Sequence, residues 1–384
     1  MLYFDHNATT PAAPEVAAAF AAALANVPGN ASSTHRAGQL ARRELESARI
    51  DIARALHCSP AELVFTSGGT ESNNLALLGL VRDLPGTHKH VIATDIEHPA
   101  VLEPIRQLER EGVAVTFAKP NSAEIVRQIR PETVLISAMH ANNETGVVLP
   151  IAELGAAIRQ KRAAGQEIYF HSDGVQALGK LNVDLDQLSV DLYSLSAHKI
   201  HGPKGVGGLF IRKGTPVRGI QFGGRHERDR RAGTENVPGV VAFARAVELL
   251  SSYPASELAL LRDRFERQIL SSLDDVSVNG SAEDRLPNTS NLLFRGLSGE
   301  MLLIALDTAG FAVSTGSACS SGSIEPSHVL LAMGLSVDEA RASVRFSFGR
   351  TNTIEEVDLL VDAVLAAMRR LRKSKDMRPQ LVTQ

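Results

Sequence analysis

Between residues 62 and 211, short apolar stretches alternate with helix-prone segments, and that alternation leaves few folds open to the chain. Strand-like runs at 62–66, 90–94, 113–118, 133–138, 167–171, 191–195 and 207–211 are short, apolar and bounded by turn residues. Helical segments lie between them at 99–110, 122–129 and 151–164, and another runs from the turn Ser67-Gly68-Gly69-Thr70-Glu71 through Leu80. Such alternation predicts an α/β fold with a mainly parallel sheet covered by helices on both faces. Upstream, residues 15–25 are Ala-rich and helix-prone, and 36–56 carry an apolar stripe at Leu40, Leu45, Ala48, Ile52 and Leu56. Asn121 with Glu124 predicts a capping pair for the segment 122–129.

Downstream, helices at about 238–273 lead to a second pattern. Residues 289–294, 298–309, 326–333, 343–347 and 354–372 read as strand, helix, helix, strand, helix, which is a smaller α/β unit. The expected division is a large domain over 15–255 and a small domain made of 1–14 and 256–384, with 373–384 as a loose tail.

Composition narrows the function classes. The chain has 384 residues, 44% hydrophobic and 22% charged, which suffices for a sizeable core. A net charge of −3 gives no bulk attraction to nucleic acid or an anionic membrane. No apolar stretch approaches membrane-spanning length, and the start MLYFDHNATTP has neither a basic region nor an apolar core of a secretory signal, so a cytoplasmic location is expected. The two cysteines, Cys58 and Cys319, are far apart and match no zinc or iron–sulfur spacing, so no metal and no disulfide framework is expected.

In a parallel sheet the functional residues gather beyond the carboxyl ends of the strands. Four polar clusters fall there: Glu97-His98, His140 to Glu144, His171 to Gln176, and Ser196-Ala197-His198-Lys199. Any one of them is commonly a satisfied polar loop; four at one edge make a site. The Gly-rich turn at 67–71 opens a helix, where unpaired backbone N–H groups and the helix dipole attract anions. Lys199 ends a strand and precedes Gly202-Pro203-Lys204-Gly205, so it sits where burial can lower its pKa and make its amine a nucleophile toward carbonyls. That is what a lysine carrying pyridoxal 5′-phosphate (PLP) requires. A lone lysine after a strand is more often a surface residue, so the rest of the chain has to decide.

Two further stretches stand out. Residues 314–326, STGSACSSGSIEP, are nearly all small or polar and hold Cys319 in a setting unlike that of a buried structural thiol. Cys58 lacks such a context and reads as structural. Residues 219–236, rich in Gly and Arg, read either as a solvated basic segment or as a lid or subunit contact that supplies a phosphate ligand.

With Lys199 and Cys319 taken together, the chain resembles the NifS/IscS-type cysteine desulfurases, within the PLP-dependent transferase fold type I, class V aminotransferase-like. The strings DHNATTP, TSGGTESNN, EHPAV, MHANNETG, HSDGVQ, SLSAHKIHGPKG, RAGTEN, STGSACSSGS, EPSHVL and VRFSFGR occur in the family's order over essentially the whole length. The resemblance implies roles residue by residue. Lys199 matches the Schiff-base lysine, Asp173 the carboxylate on the pyridinium nitrogen, and Gln176 the partner of the phenolic oxygen. His98 matches the imidazole stacked on the ring, which is also an acid–base group. Gly69, Thr70, Ser196 and His198 match the phosphate cradle, and Thr234 a phosphate ligand given by the neighbouring subunit of a homodimer. Asn143 and Arg345 match the substrate carboxylate contacts; an Arg fork suits a carboxylate.

Cys319 matches the nucleophile that accepts sulfur. The implied reaction converts L-cysteine to L-alanine, leaves a persulfide on Cys319, and passes the sulfur to an acceptor or iron–sulfur scaffold protein. The thiolate is the attacking form. Alternatives are an aminotransferase, which has no use for Cys319, a selenocysteine lyase, which shares the thiol, and a non-enzymatic scaffold, against which Lys199, Asp173, His98 and Cys319 all argue.

Overall fold

The computed structural model describes residues 1–315 and 325–377. Cys319 and most of the predicted loop 314–326 lie outside the described residues, as do 378–384; the first residues of the predicted tail, 373–377, instead continue the last helix.

The strands, in chain order, begin with β1 (Leu2–Tyr3), β2 (Leu63–Thr66), β3 (His90–Thr94) and β4 (Ala114–Ala118). They continue with β5 (Thr133–Ser137), β6 (Tyr169–Asp173), β7 (Leu192–Ser196) and β8 (Gly207–Ile211). The last are β9 (Val276–Val278), β10 (Thr289–Phe294), β11 (Phe311–Ala312) and β12 (Ser343–Ser347). The helices start with α1 (Pro14–Asn26), α2 (Arg36–Ala55), α3 (Gly69–Val81), α4 (Pro99–Arg110), α5 (Ser122–Arg127) and α6 (Ile151–Ala163). After α7 (Leu185–Leu188) and α8 (Val237–Glu248) come α9 (Ala255–Ser272), α10 (Gly299–Thr308), α11 (His328–Ala332), α12 (Val337–Arg341) and α13 (Ile354–Met377).

These elements divide into two compact units, one of Thr10–Ala141 with Leu149–Ser252, the other of Met1–Thr9, Asn142–Val148 and Tyr253–Gln384. The first, larger unit holds a seven-stranded sheet in the order β2-β8-β7-β6-β5-β3-β4. All its neighbours pair in parallel except β8, which is antiparallel to both β2 and β7. Helix α3 is buried at nearly every position from Ser72 to Val81, which explains why it has no amphipathic stripe. With α4 it closes a core of Val64, Leu75, Leu77, Val91, Ile105, Leu135, Leu192 and Leu209.

The smaller unit has an antiparallel sheet, β12-β10-β9, and a parallel pair, β1 with β11. Its core is aromatic: Phe265 lies 4.6 Å from Phe346 and 5.7 Å from Phe348, centroid to centroid, and α9, α10 and α13 enclose it with Leu302, Leu306, Leu360 and Val364.

Three expectations need correction. β6 runs over Tyr169–Asp173 rather than 167–171, because His171, Ser172 and Asp173 are buried polar residues that carry no hydrophobic signal. Asn121 caps α5 by accepting from the Ala123 and Glu124 N–H groups, but the reciprocal half is missing: the Asn121 N–H goes to the Lys119 carbonyl at 2.7 Å, and Glu124 is taken by Gln128 and Arg127. The elements β1, β9, β11, α7 and α12 span two to five residues each, too short to show a period.

Candidate active site

In the larger unit the site is built from the ends of β6 and β7 and the start of α3. Gly68 precedes α3 with φ 152°, a region that glycine alone enters cheaply, and contributes no side-chain cap. The N–H groups of the first turn, at Gly69 and Thr70, are therefore available to an anion. The turn is held close to its neighbours: a Cβ on Gly69 would stand 2.6 Å from Val175 Cγ2, and one on Gly68 3.8 Å from Ser196 Oγ. Ser196 ends β7, is 2% exposed, and its hydroxyl has no hydrogen-bond partner among the described residues. A buried hydroxyl left unpaired at an uncapped helix N-terminus marks a ligand position.

Ser196 also precedes the single 3₁₀ turn Ala197–Lys199, which places His198 and half-buried Lys199 directly after it. Burial, then the charges of Lys199, Lys204 and Lys180, holds His198 down at about 4, so the ring is neutral and the surrounding charge is cationic. Asp173, at the end of β6, accepts from Asn73 Nδ2 at 2.7 Å and from the Val175 N–H at 2.9 Å, which fixes its carboxylate. Gln176 accepts from Lys180 Nζ at 2.5 Å, an arrangement that leaves its Nε2 as the donor end. His98 caps α4, its Nδ1 accepting from the Ala100 N–H at 3.0 Å, which fixes the orientation of the ring.

Behind these groups lies a carboxyl that the sequence did not mark for a role. Glu97 is fully buried and accepts from Thr94 Oγ1 at 2.7 Å and from the Met139 N–H at 2.6 Å, tying the end of β3 to that of β5. Burial, aided by the negative charge of Asp173, pushes Glu97 up to about 8. Its folded-state value lies above the ordinary 4.5, so its contribution to stability is full below that value and is lost as pH rises to about 8. Glu97→Gln keeps both donors satisfied and does not titrate. In denaturant unfolding the parent should lose stability relative to Glu97→Gln between those pH values and run parallel to it above them. Parallel profiles throughout would contradict the buried neutral acid. His140 is likewise held neutral, burial alone bringing it down to about 4, with its Nδ1 2.8 Å from the Tyr193 hydroxyl.

In the smaller unit the structure brings Arg345 and Asn143 together. Arg345 is 2% exposed; its Nη1 donates to the Asn143 carbonyl at 3.0 Å and its Nη2 to Asp5 at 2.6 Å, while Nε has no partner among the described residues. Asp5 supplies the counter-charge and Asn7 Nδ2 also binds the Asn143 carbonyl, at 3.1 Å; neither was singled out from sequence, because their partners are remote in the chain. Thr234 is exposed, on a segment whose Arg231 pairs with Glu71 of α3 at 2.8 Å. Cys58 is half-buried, and burial with the nearby Glu62 charge pushes its thiol up to about 12, which keeps it inert at neutral pH.

Residues 2–360 match the sequence model of the aminotransferase class-V family. The chain belongs to that family. Within it, it is a member of the NifS/IscS-type cysteine desulfurase group. It is 43% identical over 380 residues to a cysteine desulfurase IscS of Dictyoglomus turgidum, with 97% of this chain and 95% of that protein aligned. It is 40% identical over 381 residues to a cysteine desulfurase of Nostoc sp., with 97% and 94% aligned. A solved NifS-like protein superposes with a TM-score of 0.88 at 35% identity, covering 96% of this chain and 100% of that one. SspA in complex with cysteine superposes with a TM-score of 0.81 at 35% identity, over 91% and 99%.

The family is PLP-dependent, and the larger unit's residues fit the cofactor. The unpaired Ser196 hydroxyl and the uncapped α3 suit a phosphate, the fixed Asp173 carboxylate suits a protonated ring nitrogen, and Lys199 offers an amine.

Proposed function

We propose that the protein is a PLP-dependent cysteine desulfurase that converts L-cysteine to L-alanine and places the sulfur on Cys319. The observation that carries this reading is the unpaired, buried Ser196 hydroxyl at the N-terminus of α3, in the same turn of chain that presents Lys199. Membership of the cysteine desulfurase group supports the choice of substrate.

Lys199 would hold the cofactor through Nζ, Asp173 its ring nitrogen, Gln176 its phenolic oxygen and His98 the face of its ring. Gly69, Thr70, Ser196 and His198 would hold its phosphate, joined by Thr234 from a second copy in a homodimer. The bound cofactor supplies an electron sink next to the substrate's α-carbon. Arg345 and Asn143 bind the substrate carboxylate; the Nε of Arg345, which has no partner among the described residues, supports that role. Lys199 moves the α-proton, and His98 serves as an acid–base group beside it. The Cys319 thiolate attacks the substrate sulfur, the carbon–sulfur bond breaks, and a persulfide and alanine result. An acceptor protein, such as an iron–sulfur scaffold, then takes the sulfur. Thiolate chemistry of this kind needs a reducing compartment, which supports a cytoplasmic setting. The net charge of −3 gives no reason to invoke nucleic acid or membrane contact.

The test is turnover of L-cysteine by the cofactor-loaded parent and by Cys319→Ala, following alanine and cofactor absorbance. The parent should release alanine. The variant should bind cysteine and perturb the cofactor, yet yield no alanine. Equal turnover by both would favour a lyase or transaminase instead.

A further inference from the structure

Both flanks of the segment that carries Cys319 are fastened, within the smaller unit, to the residues assigned to the substrate carboxylate. On the upstream side Ser314 exchanges two backbone hydrogen bonds with Arg345, its N–H donating at 3.2 Å and its carbonyl accepting at 2.7 Å. On the downstream side Ser327 donates its hydroxyl to Glu144 Oε2 at 2.5 Å. Glu144 is the neighbour of Asn143, whose carbonyl accepts from Arg345, and the Glu144 carbonyl accepts from Asn291, the residue opposite Arg345 in the β10–β12 pair.

The Ser327 bond has a defined direction. Its oxygen accepts the Leu330 N–H at 3.2 Å as the cap of α11, which leaves the hydroxyl proton for Glu144. A carboxyl is a costly group to bury: Glu144 is 5% exposed, and burial pushes it up to about 7 against the pull of Ser327 and Arg345.

We propose that Glu144 and Ser327 are positioning residues that fix the downstream root of the Cys319 segment to the substrate-carboxylate site. Fastening Ser314 and Ser327 fixes the two points between which the chain presents Cys319, relative to Arg345 and Asn143. The pair therefore acts on sulfur transfer and not on substrate capture. The proposal rests on the desulfurase reading above.

The test is rapid mixing of PLP-loaded enzyme with L-cysteine, reading cofactor absorbance for binding and thiol-specific labelling for the Cys319 persulfide, with thermal unfolding as a fold check. For Ser327→Ala the concentration dependence of the absorbance change should match the parent, while persulfide formation slows roughly tenfold, as expected for loss of one charge-assisted hydrogen bond. Glu144→Leu should slow persulfide formation to a similar extent. Glu144→Gln, whose carbonyl still accepts from Ser327, should recover much of the rate. A parent that forms persulfide and variants that match it overturn this proposal alone, as do variants that lose binding and transfer in equal measure. A parent that forms no persulfide overturns the desulfurase reading, and this proposal with it.

Discussion

Replacing Lys199 with alanine should lower alanine release from L-cysteine by about 10³-fold or more, the scale on which removing a positioned acid–base group slows a reaction. Two losses combine in this variant. The amine that would hold the cofactor covalently is gone, and so is the group proposed to move the α-proton. The rest of the cradle is not touched: Ser196 at the end of β7, the open first turn of α3 and the braced Asp173 remain. The variant should therefore still take up the cofactor, releasing it on gel filtration more readily than the parent does. Alanine production at the parent's rate would remove Lys199 from the mechanism. Failure to bind any cofactor, with an unaltered unfolding profile, would mean that the cradle depends on the covalent link far more than its geometry suggests.

The largest effect on stability is expected at Glu227. Its carboxylate receives Arg49 Nη1 at 2.8 Å, Arg49 Nη2 at 2.7 Å and the Phe65 N–H at 2.9 Å, and both side chains are 3% exposed. Arg49 also reaches the Leu63 carbonyl at 2.8 Å and lies 4.5 Å over the Phe65 ring. Cutting such a pair at one end strands a buried charge, so Glu227→Ala should cost about 3–5 kcal/mol in chemical unfolding. A strained backbone adds to its importance. Glu227, Arg228 and Asp229 have φ of 46°, 57° and 65°, three consecutive non-glycine residues in the left-handed region, each costing roughly 1–2 kcal/mol. The Arg49–Glu227 pair holds that turn against β2, and the chain runs from it to Thr234. Joint replacement, Arg49→Met with Glu227→Leu, should recover a large part of the loss, since apolar residues of similar volume remove both desolvation penalties. A loss below about 1 kcal/mol for Glu227→Ala would show that Arg49 finds water or another partner.

Particular residues show why sequence reasoning reached some features and not others. β3, β8, β10 and β12 have the bounds expected of them, although β10 carries Asn291 and β12 carries Arg345 among their apolar residues. β6 is displaced by two residues because His171 is buried through bonds to Ser137 and Ser194, a polar ladder that hydrophobicity does not register. The strand-turn-helix reading at Ser67 to Glu71 succeeded, since paired glycines before a helix have few other uses. Cys58 lies after a helix in a setting without catalytic context, and burial with the Glu62 charge pushes its thiol up to about 12.

Asp5, seen only within a motif, and Glu144, seen only as part of a cluster, have no role in the sequence reading for a common reason: each takes its meaning from a distant partner. Asp5 is 340 residues from Arg345 in sequence, and Glu144 is 183 from Ser327. Glu97 was seen only as part of a cluster. Its burial and its tie to Met139 follow from the spacing of β3 and β5, which periodicity does not supply.

The most direct measurement of the central claim is a single turnover of the PLP-loaded protein with L-cysteine in the absence of any sulfur acceptor, followed by mass analysis of the protein and quantitation of alanine. The account predicts one alanine released for each Cys319 that gains one sulfur atom, with Cys58 unmodified. Alanine without a sulfur adduct on Cys319, or a keto acid in place of alanine, would contradict it.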